Sequence, residues 1–294
     1  MGEFSYTAQT IGLKAAAMLA RALPEKSAYE LGRSLGVLGY HLAGFRRAVA
    51  VENLRRAFGD ELSAADFKKT AQLVFENLGK TAIEVFRFPI LRKNELLDNV
   101  DCDNPGMFDE ALAGGKGAIL LSAHFGNWEM FAAWIAAQGY PIDVVVKPQR
   151  NHSADKFYND LRRATGVGII PTQKASKQII VSLKKNRLVA ILADQYAGYE
   201  GVPVKFFGRM TATHRGPAAI ALKLNCPIYY GVFVRRPDSR HQAICRGPLE
   251  FAPSGNIDDD ITALTQMYTA KLEEFIRRYP EQWLWTHRRW KDAQ

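Results

Sequence analysis

Apolar positions in the first ninety residues recur every three or four places. In "LSAADFKKTAQLVFENLGKTAIEVFRF", Phe67, Ala71, Val74, Phe75, Leu78 and Ile83 fall at that spacing. This predicts one long amphipathic helix, with Ser63 as its cap. Helix formers dominate residues 6–90, and Pro24, Gly59 and Pro89 punctuate them. "LPEKSAYELGRSLG" predicts a turn at Pro24 and then a new helix. Before it, Ile11, Ala15, Met18, Leu19 and Ala22 share one helical face, with Lys14 and Arg21 to the side. That face permits two placements, against the core or in a membrane surface.

From about residue 97 the rhythm shortens. "LLDNVDCDN", "GAILLSA", "PIDVVVKP", "GVGIIPT", "RLVAILAD", "CPIYYGVFVRR" and "QAICRGPLEF" read as strands. Helical stretches over 127–138, 153–165, 173–186 and 214–225 separate them, and a last helix spans 258–279. The alternation predicts an α/β fold: a mostly parallel central sheet flanked by helices, with a helical N-terminal lobe. We expect a single domain over 1–294, in which 1–95 form a helical lobe and 96–294 the α/β core.

Composition narrows the partners. With 47% apolar residues the chain can build a core, which excludes disorder. Basic residues outnumber acidic ones, 39 to 30, for a net charge of +9. That favours an anionic partner, whether phospholipid surface, phosphorylated substrate, acidic carrier protein or nucleic acid. The basic pairs Arg46–Arg47, Arg55–Arg56 and Lys184–Lys185 read as solvated helix faces, so no nucleic acid is expected. Cys102, Cys226 and Cys245 lack zinc spacing, so we expect reduced thiols and no metal. Lys14 and Arg33 interrupt both N-terminal apolar stretches, so neither gives the roughly 18 apolar residues of a spanning helix.

Two motifs mislead. "GRSLG" matches the nucleophile pattern of serine hydrolases but lacks the preceding strand that pattern requires. "NHS" is only formally a glycosylation signal. There is no P-loop and no G-x-G-x-x-G.

"GAILLSAHFGNWE" is the candidate for chemistry. It places His124 just past the C-terminal end of a predicted strand, the edge where open α/β sheets bind ligands. Gly126 permits a tight turn, and Glu129 falls in the first turn of the next helix. Inside one helix the two side chains would point about 140° apart. With His124 on the turn and Glu129 on the helix they can meet. A carboxylate on one ring nitrogen fixes the tautomer and leaves the other nitrogen as a general base. Main-chain N–H groups around Gly126 are candidate oxyanion donors. The same residues also suit an ordinary turn, with Glu129 favoured by the helix dipole.

The stretch does not stand alone. "NLRRAFGD", "SAHFGNWE", "FYNDLRRATGVGIIPT", "AILADQYAGYEGVPVKFFGRMTATHRGPAAIALKLNCPI" and "PEQWLWTHRRWK" occur in that order. Together they resemble the bacterial lipid A biosynthesis acyltransferase family, the late lauroyl/myristoyl transferases of the glycerophosphate acyltransferase superfamily. The resemblance runs from about residue 10 to the C-terminus. It implies transfer of a fatty acyl group from acyl carrier protein, or coenzyme A, to a hydroxyl of a lipid A precursor, the alternative acceptors being a phosphatidylinositol mannoside, another glycolipid or a lysophospholipid. No metal, cofactor or obligatory acyl-enzyme is implied. His124 matches the family's base and Glu129 its acidic partner. Arg163 best matches its Arg, and Asp194 and Gln195 match its "DQ" pair. Glu rather than Asp at 129 points to the lipid A branch and its neighbours, which include acyltransferases of mycobacterial phosphatidylinositol mannosides. The implied partners are acyl carrier protein, an anionic glycolipid acceptor and the cytoplasmic face of the bacterial inner membrane. The same resemblance makes 1–95 the membrane-associating lobe. With both N-terminal stretches interrupted, attachment is expected to be peripheral or monotopic.

Local chemistry agrees. Thioesters are already activated, so a base and an oxyanion site suffice without a Ser or Cys nucleophile. Arg163 is a forked donor for phosphate. Asp194 ends the strand "RLVAILAD", and Lys147 and Arg150 follow the strand "IDVVVKP", all on the ligand edge. Asp194 suits sugar hydroxyls, a hold on Arg163, or a loop cap. Thr213 to Arg215 opens the helix before "GPAAIAL", as a cap or an anion contact. The tail interleaves Trp283, Trp285 and Trp290 with Arg288, Arg289 and Lys291. We expect the first two Trp to pack inside and the basic residues to lie at the surface.

Overall fold

The computed structural model describes residues 3–291. Four helices come first: α1 (Glu3–Ala22), α2 (Glu25–Leu42), α3 (Gly44–Phe58) and α4 (Ala64–Arg87). Ser63 caps α4 in a reciprocal capping box with Asp66, as its placement before the apolar repeat predicts. There follow α5 (Lys93–Asp98), β1 (Val100–Cys102), α6 (Met107–Ala113), β2 (Ala118–Ser122) and α7 (Trp128–Ala137). Next come β3 (Ile142–Val146), α8 (His152–Arg163), β4 (Gly168–Pro171), α9 (Ala175–Lys184) and β5 (Leu188–Leu192). The hairpin β6 (Val202–Phe206) and β7 (Arg209–Thr213), α10 (Gly216–Leu224), β8 (Ile228–Arg235), β9 (His241–Arg246) and α11 (Ile257–Arg278) complete the chain.

Seven strands form one sheet in the order β1-β9-β8-β2-β5-β3-β4. Every pairing is parallel except β8 with β9. The fold is thus the expected mostly parallel α/β sheet with a helical N-terminal region. Alternation along β2 sends Ile119 and Leu121 into one hydrophobic core and Ala118 and Leu120 into the other. Both faces are therefore covered, as parallel sheets require. In the central pair, Ser122 of β2 lies opposite Leu192 of β5.

α2 and α4 cross at glycines. A Cβ on Gly36 would lie 2.3 Å from the carbonyl oxygen of Phe75, and one on Gly79 2.1 Å from that of Gly32. The two glycines of "GRSLG" are therefore a helix-crossing notch, while Ser34 between them is exposed in mid-helix. α1 packs through Thr10, Ala17 and Ala20, and its sequence-predicted face of Ile11, Ala15, Met18, Leu19 and Ala22 is exposed. Leu35, Leu38 and Leu42 of α2 and Phe45 of α3 are also exposed apolar side chains. No helix among the described residues is long and apolar enough to cross a membrane.

Four local expectations are corrected. α5 takes Leu96 and Leu97, so the strand expected from "LLDNVDCDN" shrinks to β1. The helix before "GPAAIAL" begins at Gly216, and Thr213 instead ends β7. The β6–β7 hairpin was not foreseen, although Val202, Val204 and Phe206 alternate inward as an amphipathic strand should. Its two turn residues, Phe207 (φ 50°) and Gly208 (φ 70°), both adopt the left-handed conformation that suits a two-residue hairpin. Finally, Arg289 is buried rather than at the surface, alongside Trp283, Trp285 and Trp290.

Candidate active site

Neighbouring strands β2 and β5 run parallel and in register, so positions two residues past their ends are side by side. His124 and Asp194 occupy those positions. His124 Nδ1 lies 2.8 Å from Asp194 Oδ1, and the His124 main-chain N–H donates to Asp194 Oδ2 at 3.1 Å. Trp283 Nε1 donates to the same Oδ2 at 2.8 Å. The Asp194 side chain is 2% exposed and that of His124 is 21% exposed. Trp128 sets its ring edge-on to the imidazole, 5.1 Å between centroids.

Burial works against charge on either partner, yet each stabilises the other. Burial lowers the His124 pKa, but the Asp194 carboxylate and, less strongly, the Glu129 charge outweigh it, so the imidazole is more basic than usual. Burial likewise raises Asp194, but the His124 charge and the three donated hydrogen bonds hold its carboxyl down at about 2. With Nδ1–H donated to Asp194, Nε2 carries the free lone pair.

Glu129 sits on the first turn of α7 as expected, but its carboxylate engages Arg162 rather than His124. Arg162 Nε and Nη2 reach Glu129 Oε2 and Oε1 at 2.8 and 2.6 Å, a two-pronged pair. Arg163, the sequence choice, points away, is exposed and meets Asp160 at 3.3 Å. Successive helical residues point about 100° apart, so only one of the two can face α7. Arg162 is the arginine that pairs with Glu129.

The turn itself is fully engaged. Gly126 has φ +56°, and a Cβ there would lie 1.8 Å from the Phe233 carbonyl oxygen, so only glycine fits. Its N–H donates to the Gln282 carbonyl at 2.7 Å, which removes it as an oxyanion donor. Phe125 N–H goes to Ala123 and Asn127 N–H to Phe233. The tail holds the other side, with Leu284 N–H donating to the His124 carbonyl at 3.0 Å.

Lys147 and Arg150 lie exposed beyond the end of β3, and Gln195 is half-buried next to Asp194. Lys147 is close enough to help depress the pKa of His214, after burial and Arg289. His287, missed at the sequence level, accepts from the Tyr196 N–H at 3.2 Å. Burial keeps it neutral, with a pKa of about 4. Trp283 was foreseen as packing, but not as a donor to Asp194. Buried Arg289 donates to Thr211, Thr213 and the Ala212 carbonyl. Burial, partly offset by Asp194 and Tyr268, lowers its pKa to about 10.

An imidazole made more basic by a buried carboxylate, and partly open to solvent, is equipped to act as a general base. The bacterial lipid A biosynthesis acyltransferase family matches residues 4–292, and the chain belongs to it. It is an acyltransferase. Among its relatives, the phosphatidylinositol mannoside acyltransferase of Mycolicibacterium smegmatis is 25% identical over 290 residues, 95% of this chain and 90% of that one. The Escherichia coli lipid A biosynthesis lauroyltransferase is 26% identical over 274 residues, 92% and 87% of the two chains. The lipid A biosynthesis acyltransferase of Haemophilus influenzae is 26% identical over 278 residues, 91% and 83%.

Proposed function

We propose that this acyltransferase moves a fatty acyl chain from an acyl carrier protein or coenzyme A thioester to a hydroxyl of a lipid A precursor. The observation that carries the reading is the His124–Asp194 contact at the ligand edge of the sheet. His124 Nε2 takes the proton of the acceptor hydroxyl as its oxygen attacks the thioester carbonyl. The tetrahedral adduct collapses, the C–S bond breaks, and the imidazolium returns the proton to the departing thiolate. An ester and a free thiol result, with no acyl-enzyme, metal or cofactor in the path. Arg162, steadied by Glu129, and the exposed Lys147 and Arg150 are suited to phosphate of the acceptor or of the carrier's phosphopantetheine arm.

The protein works at a membrane surface in this reading. Ile11, Met18, Leu35, Leu38, Leu42 and Phe45 offer apolar area. Arg46 and Arg288 stand at the Phe45 ring, 5.8 and 4.7 Å from its centre, as basic partners for anionic headgroups. The inner leaflet of a bacterial inner membrane fits that chemistry.

A second acceptor, a phosphatidylinositol mannoside, is favoured by the high mutual coverage of the mycobacterial relatives. Mass spectrometry of glycolipids made with and without the protein separates the two. Added acyl mass on lipid A species supports the first reading, and added mass only on mannosides replaces it with the second. Acylation of glycerophospholipids alone defeats both. For the chemistry, His124→Ala is expected to lower kcat at least about 10²-fold in a chemistry-limited assay. Retention of more than roughly a tenth of the rate would remove His124 from the base role.

A further inference from the structure

Hydrogen-bonded to the His124 turn lies a buried charged cluster that the mechanism above does not use. Glu84 of α4 forms a two-pronged pair with Arg235 of β8, Oε2 accepting from Nη2 at 2.7 Å and Oε1 from Nη1. The side chains are 13% and 3% exposed. Buried ion pairs add little net stability compared with apolar packing of the same shape, so fold stability alone does not account for this one.

Its contacts converge on the turn. Glu84 Oε2 also accepts from Asn127 Nδ2 at 2.6 Å. Asn127 is wholly buried, and its Oδ1 caps α7 by accepting the Met130 N–H at 2.9 Å. Arg235 Nη2 donates to Thr81 Oγ1 at 3.2 Å, and Thr81 Oγ1 donates to the Gly126 carbonyl at 3.2 Å. Two consecutive residues of the turn are thereby tied to α4. The tie to β8 doubles on the tail: Gln282 and the Arg235 backbone exchange hydrogen bonds at 2.7 and 2.8 Å, while the Gln282 carbonyl holds Gly126 N–H.

We propose that Glu84 is a positioning residue. Together with Arg235 it fixes Asn127 and Thr81, so that the turn presents the His124 ring to Asp194 in a single orientation. This rests on the reading of His124 as general base. A misplacement of about 1 Å at such a site can lower a rate by about 10²-fold, which is why a rigid brace is worth a buried charge pair.

The test separates positioning from folding. Asn127→Ser keeps a helix cap but loses the bond to Glu84. Thr81→Val keeps shape but loses the hold on Gly126. For each variant, thermal melting, kcat and KM with a fatty acyl-coenzyme A and membrane glycolipid acceptor, and the NMR titration of the His124 ring are compared with the unaltered protein. The groups facing that ring are Asp194, Glu129, Trp128 and His287. We expect near-normal melting, kcat down about tenfold or more, KM within about twofold, and a His124 titration displaced to lower pH as the Asp194 contact loosens. Asn127→Asp sets two carboxylates against each other and should be worse. Combining it with Glu84→Gln restores one donor and one acceptor, and should recover part of kcat. Normal kcat and an unmoved His124 titration in a folded Asn127→Ser or Thr81→Val overturn the proposal. A lower kcat with the titration unmoved also overturns it, since the effect is then general destabilisation. Full activity in His124→Ala, together with a displaced His124 titration in Asn127→Ser or Thr81→Val, defeats the base reading and leaves the positioning intact.

Discussion

Asp194 carries the densest set of contacts at the site: the ring and main chain of His124 and the indole of Trp283 all donate to it. In the proposed mechanism it sets the tautomer and basicity of the imidazole. Asp194→Asn keeps the size but removes the charge and can present an amide N–H to Nδ1. We expect kcat to fall about 10²- to 10⁴-fold. If His124 is the base it must be neutral, so kcat/KM should rise with pH through its pKa, which is raised in the intact site. In Asp194→Asn burial acts without its counterweight, and the limb of a pH–rate profile should move to lower pH. A limb that stays in place would break the link between the two residues. At this scale the His124 turn was legible, because an apolar run followed by a glycine marks the end of a strand. The partner of His124 was not. Asp194 is 70 residues away in sequence and arrives through strand register. Glu129, five residues away, is drawn to α8 by Arg162, and which of two adjacent arginines faces α7 depends on helix phase.

Among elements, α2 has two opposite tasks. Its glycine face lets α4 approach, and Gly36→Ala drives a Cβ into the Phe75 carbonyl, a main-chain atom that cannot swing aside. We expect a loss of about 1–3 kcal/mol in urea unfolding, the usual scale of overpacking. Its leucine face, Leu35, Leu38 and Leu42, is open. The triple change of these leucines to Gln should lower co-sedimentation with anionic vesicles at least about tenfold while circular dichroism stays constant, since each buried Leu contributes about 1.5–3 kcal/mol. Unchanged sedimentation would move the docking face elsewhere. Periodicity identified both helices but not which apolar side would be covered. On α1 the expected face stayed outside, and Ala17 and Ala20, with Leu13, Ala16 and Leu23 beside them, formed the contact. The β6–β7 hairpin escaped because Pro203 and the Phe-Gly turn obscured a clear alternation.

For the molecule as a whole, buried histidines with depressed pKa values are expected to contribute to the response to acid. His241 is held neutral, mainly by burial, with a pKa of about 4 against an ordinary 6.5. Between those values the unfolded chain binds a proton that the folded one refuses, so stability falls as pH falls. The slope is up to about 1.4 kcal/mol per pH unit, or about 3 kcal/mol over the window. His287 acts in the same direction. His124 acts oppositely: its raised pKa gives stability that is complete below 6.5 and lost as pH rises through the folded value. Urea midpoints between pH 6.5 and 4.5 should therefore decline, and His241→Gln should flatten that decline. An equal decline in the variant would show that other groups govern it.

By itself the sequence determined the class of fold, most element positions, the His124 turn and the family. These depend on local periodicity, on a glycine at a point of close approach and on ordered motifs, all of which are linear properties of a chain. Only the tertiary structure decided that Asp194 rather than Glu129 holds the imidazole, that Arg162 rather than Arg163 pairs with Glu129, that the Gly126 N–H is already spent, and that Glu84 and Arg235 brace the turn. Each of those outcomes depends on strand register, helix phase or the competition of several donors for one carboxylate, and these are fixed only when distant segments pack.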